Sequence, residues 1–326
     1  MRILLSRTDR IGDLILSTPA IATVRASFPD AHLTMVVSPY NAVVMERNDD
    51  VDELVQLPRE IAPRAFGATY GGYDAAIALA PRAIDLKLVG ATRARLRVGY
   101  TYERRWLARL TSPLYVDRMM ISEADPELCE RHPERIVRHE VVQLLDLVGL
   151  AGAHRRVERL RLDVIDADRD VARELPENPI VLHLGQRWFQ DGSTLESTLR
   201  LVDRIAELGP VVATLPNECD DLAPTFERSH SIQRVLRGLP FHQWAAVFER
   251  ANVVVTVDTG ATHVASAVRR PTVVAFEHRY FRLNSQEWAP YGVPHVLVRK
   301  PESGDDASLA QFRDEIVRGV ETLTHA

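Results

Sequence analysis

Ile3-Leu4-Leu5-Ser6-Arg7-Thr8-Asp9-Arg10-Ile11-Gly12-Asp13 passes from an apolar run into a polar loop with one glycine and ends on a carboxylate. A mostly apolar stretch, residues 14–28, follows it. This order predicts a buried strand, a tight loop and a helix, the opening of an open α/β sheet. Such sheets build their sites at the carboxyl ends of their strands. Asp13 then has two readings. It is a helix N-cap that accepts hydrogen bonds from free backbone N–H groups, or it is a general base set among arginines beside an anionic substrate. Pro19 leaves the helix start open: Ser17 or Thr18 caps a helix beginning at Pro19, or the helix begins near Asp13 and Pro19 kinks it.

The same grammar recurs late in the chain. Val253-Val254-Val255-Thr256-Val257 reads as a strand, and Asp258-Thr259-Gly260-Ala261-Thr262-His263 as a sharp turn opening a helix. Free N–H groups and the positive end of the helix dipole gather at such a start and suit a phosphate. Gly260 lets backbone approach it, Thr259 and Thr262 offer hydroxyls, and His263 offers a proton or a hydrogen bond. An ordinary capped helix with a half-buried histidine is the plain alternative.

Between and around these segments, strands and helices alternate. Strands are expected at 3–6, 33–37, 53–56, 75–78 and 96–99 in the first half, and at 180–184, 211–214, 253–257 and 272–276 in the second. Helices are expected at 20–27, 138–149, 195–208, 241–250, 262–268 and 308–323, with further helical stretches around 43–47 and 220–228. A polar stretch, residues 152–179, reads as the transition between domains, with a short strand at 160–162. Alternating β and α over two halves implies an α/β chain of two doubly wound, Rossmann-like parallel-sheet domains, at 1–160 and 161–326. There is no internal sequence repeat.

Composition narrows the chemistry. The chain has 326 residues, 46% of them hydrophobic, and a net charge of −5, so no global basic field points to nucleic acid. Only Lys87 and Lys300 are lysines among 40 basic residues. Anion recognition therefore falls to arginine, which grips phosphate and carboxylate bidentately. The two cysteines, Cys129 and Cys219, lack metal-ligand spacing and suggest a reduced, cytoplasmic protein. Charged residues from Arg7 to Asp13 interrupt any signal-peptide core, and no apolar run is long enough to span a bilayer. No Gly-x-Gly-x-x-Gly and no P-loop motif is present, so a nicotinamide, flavin or P-loop nucleotide reading has no support, and no cofactor is expected. Asp163, Asp166 and Asp168 read as a solvated charge run rather than a metal site.

Taken together, the opening through Thr18-Pro19-Ala20, the segment Val257 to His263 with Ala265, Ala267 and Pro271, and Pro290-Tyr291-Gly292 resemble the family 9 glycosyltransferases. These are the bacterial ADP-heptose:lipopolysaccharide heptosyltransferases. The resemblance spans nearly the whole chain and favours the helix beginning near Asp13. It implies a GT-B fold of two domains facing a central cleft, the first binding acceptor and the second nucleotide-sugar, with the last helix crossing back onto the first domain. It further implies an inverting, metal-independent transfer of heptose from ADP-heptose to an acidic lipopolysaccharide core, with Asp13 as base. Asp258, Thr259, Gly260, Thr262 and His263 would lie at donor sugar and diphosphate, Glu218 at the ribose and Leu239 at the base. Arg7 and Arg10, then Arg59, Arg64 and Arg93, would receive the acceptor. A lipid-linked acceptor would require transient peripheral contact with the cytoplasmic face of the inner membrane. The cluster Tyr102, Arg104, Arg105 and Trp106 reads either as a surface that meets acceptor or membrane or as a loop packing its tryptophan inward.

The chain departs from the family in the loop after residues 180–184, where a lysine and a Trp-Pro are expected. Here Gly185 is followed by Gln186-Arg187-Trp188-Phe189-Gln190-Asp191-Gly192-Ser193-Thr194. Arg187 either replaces that lysine toward donor phosphate or leaves the loop without its cation. Residues 277–280, Glu-His-Arg-Tyr, also depart, and His278 and Arg279 are either phosphate contacts or surface. These departures keep three alternatives in view: a different donor sugar or a protein acceptor, a non-catalytic nucleotide-sugar-binding scaffold, and a sugar-nucleotide epimerase.

Overall fold

The computed structural model describes residues 1–190 and 193–325. Asp191 and Gly192 of the altered loop, and Ala326, lie outside the described residues. Contacts divide the chain into two units, Met1–Arg161 and Leu162–Ala326.

The first unit carries β1 (Arg2–Arg7), β2 (His32–Val37), β3 (Glu53–Gln56), β4 (Ala75–Ala78), β5 (Leu96–Tyr102) and β6 (Arg118–Ser122). They form one parallel sheet in the order β3-β2-β1-β4-β5-β6. The second unit carries β7 (Ile180–His183), β8 (Val211–Leu215), β9 (Ile232–Arg237), β10 (Val253–Val257), β11 (Thr272–Phe276) and β12 (His295–Arg299). Their order, β12-β11-β10-β7-β8-β9, is again wholly parallel. Counted within each unit, both sheets follow the doubly wound order 3-2-1-4-5-6. The topological switch points fall between β1 and β4 and between β7 and β10.

The central strands are near-continuous apolar runs because helices cover both faces. All residues of β4, β7, β8, β10 and β11 are buried. The sequence reading missed β6, β9 and β12, and each of these is a sheet edge. Edge strands are covered less and so lack the two-sided apolar signature: β9 buries only Ile232 and β12 only Val298.

The first helix, Ile11–Ser27, runs unbroken through Pro19. Arg10 occupies the cap position and makes no side-chain cap bond. Asp13 is the third residue of the helix, so the N-cap reading of Asp13 does not hold. Proline lacks the N–H that would bond the Ile15 carbonyl four residues back. The Thr18 hydroxyl takes that place, donating to the Ile15 carbonyl at 2.7 Å. Thr18 Oγ1 also accepts from the Arg161 N–H at 3.0 Å. Higher on the same helix, Thr23 Oγ1 accepts from Val157 N–H and Ser27 Oγ from Arg155 N–H. Residues 155–161 are therefore an extended strap along this helix, and the strand expected at 160–162 does not form.

The last helix, Asp306–Thr324, lays Phe312, Ile316 and Val320 on the second sheet, against β10, β11, β12 and the helix Leu195–Ala206. Gly319 sits so close that a Cβ there would lie 3.1 Å from Val296 and 3.2 Å from Val273.

Thr18→Val keeps the side-chain shape but strips the hydroxyl. Two buried backbone groups, the Ile15 carbonyl and the Arg161 N–H, lose their partner. We expect a loss of about 2 kcal/mol, read as a lower urea midpoint with an unchanged slope. An unchanged midpoint would mean that the proline site does not depend on this hydroxyl.

Candidate active site

At the carboxyl end of β1 the decisive side chain is Arg7, only 1% exposed. Its Nη1 donates to the Leu79 carbonyl at 2.7 Å, to Glu140 Oε1 at 2.9 Å and to Ser17 Oγ at 3.2 Å. Its Nε donates to Asp9 at 3.0 Å, and its Nη2 lies 3.8 Å from Asp13 Oδ1. Glu140, fully buried at the start of the helix Glu140–Gly149, also accepts from the Tyr100 hydroxyl at 2.7 Å. Arg7, expected to receive the acceptor, is instead an internal cation that ties β1, the end of β4, the first helix and the helix Glu140–Gly149 together.

Asp85 fixes the same loop from the other side. It is fully buried in the first turn of the helix Ala83–Ala91 and accepts from Ser6 Oγ at 2.7 Å and from Thr8 N–H and Oγ1 at 3.1 Å each. Burial, then the Asp9 carboxylate, pushes Asp85 up to about 6. Asp13 retains 18% side-chain exposure. Burial, then the negative charge of Asp9, raises it from 3.8 to about 7, and Arg7 pulls in the opposite direction. A carboxylate poised near neutrality is what proton abstraction needs.

Arg10 and Arg59 are exposed on segments that follow the carboxyl ends of β1 and β3. Arg64 and Arg93 are placed elsewhere. They line a cavity with Gly71, Gly72, Thr92 and Tyr115, on segments leading into β4, β5 and β6. That is the amino edge of a parallel sheet, opposite Asp13, because the helices before β4 and β5 carry the chain back across it. The two are not part of the Asp13 site.

In the second unit the expected residues follow the carboxyl ends of four neighbouring strands. Gly185 and Arg187 follow β7, Glu218 follows β8, Leu239 follows β9, and Asp258 to His263 follow β10. Thr259 caps the helix Gly260–Ala267, accepting from Ala261 N–H at 3.3 Å. The buried Thr262 turns its hydroxyl inward to the Val257 carbonyl at 3.1 Å, which braces the turn instead of offering a donor to a ligand. His263 is 4% exposed, its ring 6.3 Å from that of Trp288. Arg187 joins two of the loops: its Nη1 donates to the Asp258 carbonyl at 2.7 Å and lies 3.7 Å from Asp258 Oδ2, with its side chain still 47% exposed.

Glu218 is exposed. The loops after β8 and β9 approach each other at Gly238, which has φ +60° and would place a Cβ 3.1 Å from Asn217 Oδ1. Leu239, next to this turn, is partly buried. His278 and Arg279 have internal partners: the His278 carbonyl accepts from Arg299, and the Arg279 guanidinium lies 4.9 Å from the Tyr280 ring.

Several supports were not read from sequence. Glu140, Tyr100 and Asp85 reach the Arg7 region from 77 to 133 positions away, and no local spacing marks them. His183 sits beneath Gly185, bonded to Thr214 Oγ1 at 2.9 Å, and burial lowers it to about 4, so it is neutral near pH 7. Lys300, buried beyond β12, donates to the carbonyls of Arg187 and Gln190, holding the altered loop by its backbone. Asn284 donates to Asp258 Oδ2 at 3.5 Å. Among the described residues no cluster of His, Cys, Asp and Glu is arranged to hold a metal ion.

Residues 217–309 match the model of glycosyltransferase family 9 (heptosyltransferase). Lipopolysaccharide heptosyltransferase 3 of Escherichia coli (strain K12) is 21% identical over 304 residues, 83% of this chain and 82% of that protein. The crystal structure of the family 9 glycosyl transferase from Veillonella parvula DSM 2008 superposes with a TM-score of 0.78 at 19% identity, covering 99% of this chain and 97% of that one. The E. coli heptosyltransferase WaaC with ADP superposes at 0.68 and 19% identity, covering 98% and 100%. The two-sheet architecture is thus that of the GT-B heptosyltransferase structures.

The raised Asp13 carboxyl makes a linkage prediction. Between the unfolded value near 3.8 and the folded value near 7, the folded state holds the extra proton. Its stabilising contribution is complete below the lower value and is lost as pH rises through the upper one. Asp13→Asn removes this loss. The variant should match wild type at pH 4 and exceed it at pH 8 by about 1–2 kcal/mol, in urea melts at both pH values. Equal stability at pH 8 would show that Asp13 ionises at an ordinary value.

Proposed function

Taking the chain as a glycosyltransferase with a family 9 segment in its second unit, we propose that it transfers heptose from ADP-heptose to a hydroxyl of an acidic, lipopolysaccharide-core acceptor, with inversion. The observation that carries this reading is a largely buried carboxyl, still 18% exposed, poised near 7 at the switch point of the first sheet. A protein that only bound nucleotide-sugar would have no use for it.

In the proposed step the acceptor oxygen bonds to the anomeric carbon while its proton passes to Asp13. The bond from that carbon to the diphosphate breaks, and ADP leaves with the electron pair. The N–H groups at the start of the helix Gly260–Ala267 and the Arg187 guanidinium meet the charge that grows on the diphosphate, so the step calls on no metal ion. Asp258, held by Arg187 and Asn284, borders the donor sugar. His263 supports this turn from within. Glu218 takes the ribose hydroxyls and Leu239 packs on the adenine. Gly185 gives the donor phosphates room beside Arg187. Arg10 and Arg59 are the arginines left to meet the acidic acceptor. No helix among the described residues is long and apolar enough to cross a membrane. A cytoplasmic location, with peripheral contact at the inner membrane, completes the reading.

A thermal-shift panel of ADP, UDP, GDP and dTDP, each with and without an attached sugar, tests the donor. Selective stabilisation by ADP and ADP-heptose is expected, since a ligand that binds only the folded state raises its melting temperature. Selective stabilisation by another nucleotide would overturn the donor, and no response at all would overturn the enzyme reading.

Asp13→Ala should lower kcat by roughly 10²–10⁴ and leave the donor Kd near wild type. Transfer at the wild-type rate would remove Asp13 from the role of base. Wild-type kcat should rise with pH along a limb centred near 7, where Asp13 loses its proton. Arg187→Ala should instead weaken ADP binding by about tenfold or more, as loss of a charged hydrogen bond does.

A further inference from the structure

We propose that the short helix Trp106–Thr111 and the turn after it are a docking element for an anionic lipid surface. The helix buries none of its six residues. Trp106 is 63% exposed, Leu107 59%, Leu110 70% and, in the following turn, Leu114 73%. Among the described residues no other stretch gathers so many large exposed apolar side chains. Trp106, Leu107 and Leu110 are spaced i, i+1, i+4 and share one face of the helix. A six-residue helix in water is marginal unless an apolar face is covered, and this one covers nothing within its own unit.

The charge around it selects the cover. Arg104, Arg105 and Arg109 are all exposed, and no acidic residue occurs from 104 through 116. Glu103, just before, is paired to Arg135 at 2.7 Å. On a chain with net charge −5 this is a local excess of positive charge. Tryptophan and leucine flanked by arginine suit the boundary between lipid headgroups and acyl chains. A symmetric contact with a second copy would set like charges against each other.

The element is held in place. Arg105 donates to the Pro81 carbonyl at 2.7 Å and its guanidinium lies 4.8 Å from the Tyr102 ring. Pro81 is two residues beyond Leu79, whose carbonyl accepts from Arg7. The helix follows β5, so it begins at the carboxyl edge of the first sheet, the edge that bears Asp13, and the turn after it, where Leu114 borders the cavity of Arg64 and Arg93, leads back toward the amino edge before β6. Bound to a bilayer, the start of the helix at Trp106 and Leu107 would hold the Asp13 edge beside the surface where a lipid-linked hydroxyl is found. The docking itself requires neither donor nor acceptor, so it can fail or hold whether or not the transfer reading stands.

The test is co-sedimentation of the full chain with phosphatidylglycerol-rich vesicles and with pure phosphatidylcholine vesicles, without nucleotide. We expect binding to the first, weakening with added salt, and little to the second. Leu110→Asp with Leu114→Asp should abolish it. Arg104→Gln with Arg109→Gln should reduce it roughly thirtyfold, at ~1 kcal/mol per basic residue near a charged surface. All four positions are exposed, and an unchanged thermal melt confirms that each variant is folded. Trp106 is the one exposed tryptophan of four, so its emission should shift to the blue on binding, and Trp106→Phe should lose that change. Equal binding to both vesicle types, unchanged partitioning of the variants, or no binding together with self-association that Leu110→Asp abolishes would each overturn the proposal.

Discussion

One buried guanidinium organises the first unit. Arg7 is a cation that water does not reach, and a buried charge persists only where fixed partners replace its hydration. Its partners come from four places: Asp9 in the loop, Asp13 and Ser17 on the first helix, the Leu79 carbonyl beyond β4, and Glu140 on the helix Glu140–Gly149. Glu140 takes the close bond at 2.9 Å and Asp9 one at 3.0 Å, while Asp13 stands off at 3.8 Å. One positive charge is thus shared among three carboxylates, with Asp85 held nearby. Burial first, and then the Asp9 charge, keep the proton on Asp13 until about pH 7, while Arg7, standing off at 3.8 Å, pulls the other way. Burial of this loop lies behind both the ion pairs that Arg7 must make and the raised Asp13 carboxyl.

The two units solve the same folding problem with unrelated residues. Both sheets have the order 3-2-1-4-5-6, yet the chain has no internal repeat at the level of sequence. Parallel strands joined by right-handed crossovers leave a crevice wherever the winding reverses. What differs is the charge placed there. Acidic groups around a single arginine line the first crevice. In the second, β10 leads straight into the N-terminus of a helix, and Arg187 is drawn over the turn by the Asp258 carbonyl. The first crevice gathers carboxylates around a buried cation, and the second gathers an arginine at the start of a helix.

How far the sequence could be read follows from how each element is buried. Strands in the middle of a sheet are apolar on both faces, and 75–78, 253–257 and 272–276 were legible to the residue; 53–56 was too, although it is an edge strand with no buried residue. The edge strands β6, β9 and β12 were not, because half their side chains face water and their pattern resembles a loop. The Asp13 and Asp258 segments were legible because a strand, a loop and a helix follow one another there within about a dozen residues. Glu140 was not, because its role depends on a helix returning to β1 across most of the unit. Arg64 shows the opposite error. An arginine near the right strand in sequence belongs to the wrong edge of the sheet, since within eight residues of β3 the chain has reached the cavity that Gly71, Gly72 and Arg93 also line.

The altered loop after β7 lacks the expected lysine yet still has positive charge on it. The loop carries a cation of its own, Arg187, and a second, Lys300, reaches it from beyond the edge strand β12. Arg187 leans over Asp258 with nearly half its side chain in solvent. Lys300 enters from β12, is buried, and donates to the backbone carbonyls of Arg187 and Gln190. The buried cation is committed to loop shape, because an ammonium bonded to two carbonyls has little left to offer a ligand. The exposed one keeps its free edge. This division ties residues 187 and 190 by their backbone while one guanidinium stays open to solvent. It also means that charge at this loop is tied to loop geometry: removing the inner cation would move the outer one, and with it the Asp258 turn.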